Sequence, residues 1–176
     1  MYTRTAVWLH WILAVGIIGM LILGFCMLRV PPNTPARGTL LNLHKSLGMV
    51  LLAIILLRTA WRLAHSPPPF PDAMPHWQRM TAASVHIALY ALLLAQPLTG
   101  YLTSAFGIFG VRVFGWELPK VFTANAAART AFAGIHHVGA ALILALVAVH
   151  ILAAIRNWYF SPSLRGRMRI GTSAVQ

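Results

Sequence analysis

Acidic side chains are almost missing from this sequence. Asp72 and Glu117 are the two acids in 176 residues. They fall in different loops, so paired-carboxylate hydrolysis has no residues to work with. Charge of either sign is scarce: 9% of residues are charged, against ~25% in a soluble domain. Cysteine is as rare. Cys26 stands alone, which excludes an internal disulfide, any Cys-x-x-Cys motif and a thiolate zinc site. It lies within an apolar run and is expected to be a small buried residue.

What fills the sequence instead is hydrocarbon. Hydrophobic residues make up 59% of the chain, and its mean hydropathy is +0.72. Too few charges remain to cover such a surface in water, whereas lipid needs no polar cover. Four apolar runs stand out, at about 6–28, 40–63, 82–106 and 131–159. Each exceeds the ~20 residues that cross ~30 Å of hydrocarbon as a helix. Pro31-Pro32, Pro67-Pro68-Pro69 and Pro162 stop three of the runs, and Pro97 inside the third predicts a kink. The first run is too long for a signal-peptide core and lacks a cleavage site, so it reads as a true span. No internal repeat or low-complexity segment is visible. The expected fold is all-α: an integral membrane four-helix bundle, one domain over residues 1–176.

The net charge of +12 does not point to nucleic acid. The basic residues sit in short loops and at helix ends, where they orient spans and bind anionic lipid. An even number of spans puts both termini on one side. Arg4, Arg58, Arg62, Arg79, Arg156, Arg165, Arg167 and Arg169 then share that side. Arg29, Arg37, Lys45, Arg112, Lys120 and Arg129 take the other. The excess is small, but the Arg165-Arg167-Arg169 cluster favours cytoplasmic termini. Trp8, Trp11, Trp61, Trp77 and Trp158 gather near the same boundary, where amphipathic rings prefer to sit.

Histidine is the polar residue in excess, with eight copies. A histidine inside a membrane span is costly and so marks function. His10 and His86 fall toward the inner side, His44 and His136 toward the outer side, and His150 deep toward the inner end of the fourth run. His136 and His150 lie on one helix, ~21 Å apart along its axis and within ~40° of the same face. One helix thus offers an imidazole near each membrane surface. His44 is the outer partner; His10 or His86 is the inner one. Two imidazoles at each of two levels is the ligand set of two six-coordinate haems.

The small residues Gly16, Gly19, Gly24, Gly48 and Gly139 suit close approach of a flat ring, and equally suit helix packing. His137 points ~100° away from His136 and reads as packing or support. His65 and His76, among prolines, read as loop residues. Arg58 and Arg62, one turn apart, suit haem propionates, a quinone headgroup or lipid phosphate.

The segments LHWILA at His10, LHKSLGMVLL at His44, RTAWRLAHSPPP from Arg58, HIALYALLLAQPLTGYL from His86 and IHHVGAALILALVAVHILAA around His136 and His150 resemble the bacterial cytochrome b561 family of dihaem membrane proteins. They also look like the haem b membrane subunits of formate dehydrogenases and hydrogenases. The resemblance runs in order along nearly the whole chain. It implies a multi-pass protein of the bacterial inner (plasma) membrane with two non-covalent b haems per chain in the bundle core. Carried onto this chain, the inner iron lies between His10 and His150 and the outer between His44 and His136. His86 also matches a motif position, either as an alternative inner ligand or as part of a quinone pocket. One branch, superoxide oxidase, oxidises superoxide at the outer face and reduces ubiquinone. The outer face here, with six basic residues and Glu117, suits an anionic donor. The family tends to carry a further histidine one to two turns past the His150 position; this chain has Asn157.

Three readings follow. The first is a superoxide:quinone oxidoreductase whose chemistry belongs to its cofactors. The second is a haem b anchor subunit shuttling electrons between quinone and a partner dehydrogenase. The third, a histidine-lined metal transporter, is weakened by the absence of carboxylates within the spans.

Overall fold

The computed structural model describes residues 2–72, 74–161 and 168 of the chain. Four long helices dominate: α1 Arg4–Arg29, α2 Pro35–Ala64, α3 His76–Ala105 and α4 Ala126–Phe160. All four are long and apolar enough to cross a membrane. Between α3 and α4 lies a small hairpin, β1 Arg112–Val113 and β2 Trp116–Glu117. The Arg165-Arg167-Arg169 cluster and Pro162 lie outside the described residues.

The helices start earlier than the apolar runs. α2 opens at Pro35 rather than near Leu40, α3 at His76 rather than Ala82, and α4 at Ala126 rather than Ala131. The apolar runs mark hydrocarbon, while caps mark where the helix begins. The Thr3, Thr34 and Asn125 side chains accept from the amides of Ala6, Arg37 and Ala128 at 3.2, 3.3 and 3.0 Å. Pro35 adds a pre-set first helical residue. α3 runs on through Pro97.

Burial is inverted relative to a water-soluble bundle. Apolar side chains such as Val15, Leu63, Ile87 and Leu152 are exposed on the outside. Such a surface needs lipid around it. The interior contacts are few and include Val7, Leu13, Ile55, Leu89 and Ile143. Cys26, expected inside, is exposed. Lipid accepts an apolar residue on any face of a span, so hydrophobicity does not report which face is buried. Neighbouring helices pack in chain order, α1 on α2, α2 on α3 and α3 on α4. α1 and α4 meet more loosely, through the histidines described below.

The end of the bundle holding the start of α1 and the end of α4 is called here the terminal end, and the other the hairpin end. The hairpin is an addition to the all-α expectation. Its register pairs Arg112 with Glu117 and Val113 with Trp116. Phe114 and Gly115 at the turn both have positive φ, 49° and 87°, as a two-residue type I′ turn requires. The glycine takes this at no steric cost; Phe114 does not. Its amide donates to Ser46 Oγ at 2.7 Å, while Ser46 Oγ donates to Asn42 O at 2.8 Å. Ser46 is 1% exposed, so one buried hydroxyl ties the strained turn to α2. At the base of the connection the Asn125 amide donates to Phe106 O at 3.0 Å, and Phe106 packs on Phe122 and Phe132.

Replacing Ser46 with Ala removes the acceptor of the Phe114 amide and should cost ~0.5–1.5 kcal/mol, the net worth of one hydrogen bond. Chemical unfolding in detergent and amide exchange at Phe114 check this. Wild-type exchange at Phe114 in the variant would refute the anchoring role.

Candidate functional site

Five histidines reach the inside of the bundle from four helices, and the structure gathers them at two levels. At the hairpin end, His44 of α2 faces His136 of α4 with ring centres 6.2 Å apart and planes at 78°. At the terminal end, His10 of α1 faces His150 of α4 at 6.1 Å and 69°. His86 of α3 approaches His150 from another side at 5.3 Å. α4 therefore contributes to both levels, as the spacing of its two histidines predicts.

These spacings carry chemical meaning. Two imidazoles on opposite sides of one metal, each bonded through nitrogen at ~2 Å, have ring centres ~6 Å apart. His44–His136 and His10–His150 match that spacing; His86–His150 is shorter. Among the described residues no group of three or more His, Cys, Asp or Glu side chains could hold a metal ion. The donor set is thus two opposed nitrogens per level, which suits a metal whose other ligands arrive with it, as in a macrocycle.

The hairpin-end pair shows how the rings are readied. His136 Nδ1 donates to the Gln96 backbone carbonyl of α3 at 2.9 Å. Its Nε2 is thereby left as the nitrogen with a lone pair to give. His44 Nδ1 is buried without a hydrogen-bond partner, a polar atom that the protein alone leaves unsatisfied. Room at this level comes from glycine: a side chain at Gly24 would meet the His44 ring at 3.7 Å, and one at Gly100 would come within 2.9 Å of His136 Cε1. The residues present fit a b-type haem: opposed imidazoles, a close glycine wall and an apolar surround.

At the terminal end, Arg58 and Arg62 share the face of Tyr90, at 5.9 and 5.3 Å from its ring centre. Arg58 also donates to Ala6 O at 2.8 Å, joining α2 to α1. Tyr2, Trp61, His65 and Pro67 help to line the pocket around these guanidiniums. His65, read from sequence as a loop residue, caps α2 and stacks on Trp61 at 4.1 Å. Trp61 Nε1 in turn donates to Thr3 Oγ1 at 2.9 Å. The result is a cationic, aromatic-walled pocket beside the His10–His150 level. His76 is the exposed first residue of α3; His137 is exposed on α4, its ring 6.5 Å from that of its chain neighbour His136, and it meets no ring from another helix among the described residues.

Sequence reasoning missed Gln96, Thr99, Gly100 and Tyr90. Gln96 offered a signal: an amide within an apolar run, with Thr99 and Gly100 following at one helical turn.

Comparison with known proteins agrees with this architecture. A family model described as prokaryotic cytochrome b561 matches residues 1–169. Cytochrome b561 homolog 2 of Escherichia coli (strain K12) is 31% identical over 167 residues, covering 94% of this chain and 88% of that protein. Cytochrome b561 homolog 1 of the same organism is 25% identical over 162 residues, covering 90% of each. The chain belongs to the prokaryotic cytochrome b561 family, a multi-pass membrane protein that binds b-type haem and carries electrons across the bilayer.

Proposed function

We propose that this chain holds two b haems, one between His44 and His136 and one between His10 and His150. Through them it passes electrons from a donor at the hairpin end, superoxide first among them, to ubiquinone at the terminal end. The single observation behind the ligand assignment is the pair of ring spacings, 6.2 and 6.1 Å. Bound there, haem b supplies reversible one-electron transfer at iron. Everything else is the work of the protein. The four helices hold the imidazoles in position and exclude water. Arg58 and Arg62 offer two cations for haem propionates or for a quinone headgroup, with Tyr90 holding both guanidiniums in place. His86, 5.3 Å from His150, is closer than two rings directly opposed on one metal, and in this reading it belongs to the quinone side of this level. Asn157, one to two turns further along α4, replaces a charged-capable imidazole there with an amide.

In this reading the membrane is the bacterial inner membrane, the termini are cytoplasmic and the hairpin end faces outward. Arg29, Arg37, Lys45, Arg112, Lys120 and Arg129 gather at that end. Their one acidic neighbour, Glu117, is spent on Arg112. The remaining positive field draws a small anion toward the His44–His136 level. One observation favours a second reading, a partner dehydrogenase docking at the same end: Ile108, Phe109, Trp116 and Val121 present an exposed apolar surface there.

Haem content tests the ligands. The purified protein should carry two b haems per chain, by pyridine haemochrome and reduced-minus-oxidised spectra. His44→Ala and His136→Ala should each lose the same one of the two, and His10→Ala and His150→Ala the other. Variants that keep both haems overturn the assignment. Stopped-flow or pulse-radiolysis reduction by superoxide tests the donor. Lys120→Glu with Arg129→Glu should slow it ~3–10-fold at low salt with haem content unchanged, and salt should erase the difference. No reduction by superoxide in the wild type favours the dehydrogenase reading.

A further inference from the structure

Gln96 and His136 hold each other by both backbone and side chain. The Gln96 amide Nε2 donates to the His136 backbone carbonyl at 2.9 Å, and His136 Nδ1 donates to the Gln96 backbone carbonyl at 2.9 Å. Thr99 Oγ1 donates to the same Gln96 carbonyl at 2.8 Å and lies 3.2 Å from His136 Nδ1. Each side chain also occupies a space that only glycine leaves. The Gln96 Oε1 atom lies where a side chain at Gly139 would begin, and the His136 ring lies against Gly100, where a Cβ would sit 2.9 Å from Cε1 and 3.2 Å from Nδ1. α3 and α4 are thus clasped reciprocally: an amide in a notch on one helix, an imidazole in a notch on the other.

Such a clasp has an electronic effect as well as a mechanical one. A ring that donates from Nδ1 to a carbonyl is fixed in the tautomer with Nε2 free, and its basicity rises. A more basic axial ligand favours the oxidised, more positive iron and lowers the reduction potential. Its opposite number, His44, has no such bond on its buried Nδ1, so at this level the tuning falls to one side alone.

We propose that Gln96, Thr99 and Gly100 are positioning residues that hold His136 in its metal-binding tautomer and keep the centre at the His44–His136 level low in reduction potential. This rests on the reading that a haem lies between those two histidines. The test is potentiometric titration of the purified holoprotein, with electron paramagnetic resonance of the oxidised low-spin haems and a haem count.

Gly100→Ala should drive the ring off the Gln96 carbonyl and raise the midpoint of one centre by about 59 mV, tenfold in its one-electron equilibrium. The affected centre should be the one that His136→Ala removes, and the other should keep its midpoint. If Gly100→Ala sheds that haem, the decision passes to two milder variants. Gln96→Leu and Gly139→Ala, which release only the amide, should then each give a shift of ~3-fold in the same direction and alter that centre's resonance. The double variant Gln96→Leu, Gly139→Ala should shift no further than Gln96→Leu, because the notch serves the amide alone. Wild-type midpoints and resonances in Gln96→Leu and Gly139→Ala, with both haems present, overturn the clasp. If His136→Ala itself keeps both haems, the ligand assignment falls with it, and the two failures are told apart.

Discussion

An imidazole inside a hydrocarbon span must find a partner, and the whole molecule is arranged around that demand. Lipid supplies no hydrogen bonds, so a polar ring left alone there is costly. Five histidines from four helices gather at two levels inside the bundle, three at the terminal end and two at the hairpin end; His136 finds the Gln96 carbonyl, while His44 Nδ1 is left unpaired by the protein alone. Apolar packing does little to specify this. The helices bury few side chains against one another and expose most of their apolar surface outward, where lipid is as good a neighbour as leucine. Position along and around each helix is therefore set by small polar devices: the Arg58 bond to Ala6 O, the Trp61 bond to Thr3, the Ser46 tie to the hairpin, and the Gln96–His136 exchange.

Much of this was legible in the sequence. Composition alone calls for lipid, and the apolar runs locate the four spans. The placement of His136 and His150 on one helix follows from periodicity, and the two-level grouping of rings follows from depth. Other features leave no trace in hydropathy. Helix starts lie beyond the hydrocarbon runs because Thr34 and Asn125 cap them in polar surroundings. Cys26 is outside because an apolar residue in a span has no preferred face. The hairpin rests on two left-handed residues, one of them the unpromising Phe114, and on a serine nearly seventy residues away in sequence.

The supporting residues at the His136 level were hidden for a different reason. Gln96 acts partly through its backbone carbonyl, which every residue possesses, and Gly100 acts by what it lacks. Neither function has a residue-type signature. Periodicity says which side chains share a face, but not which carbonyl on the next helix lies across from an imidazole nitrogen. Nor does periodicity separate His10 from His86: both rings lie near His150, at 6.1 and 5.3 Å, and only ring positions reveal that small difference.

α4 has a consequence of its own. It is one unbroken helix of 35 residues and supplies a ring to both levels, so a single strut fixes the vertical distance between them. Loosening of the bundle in thin or fluid membranes would splay the other helices sideways and weaken each pairing, yet leave that height unchanged. On the proposed function, a wire built this way would fail by dropping a terminal rather than by stretching its gap.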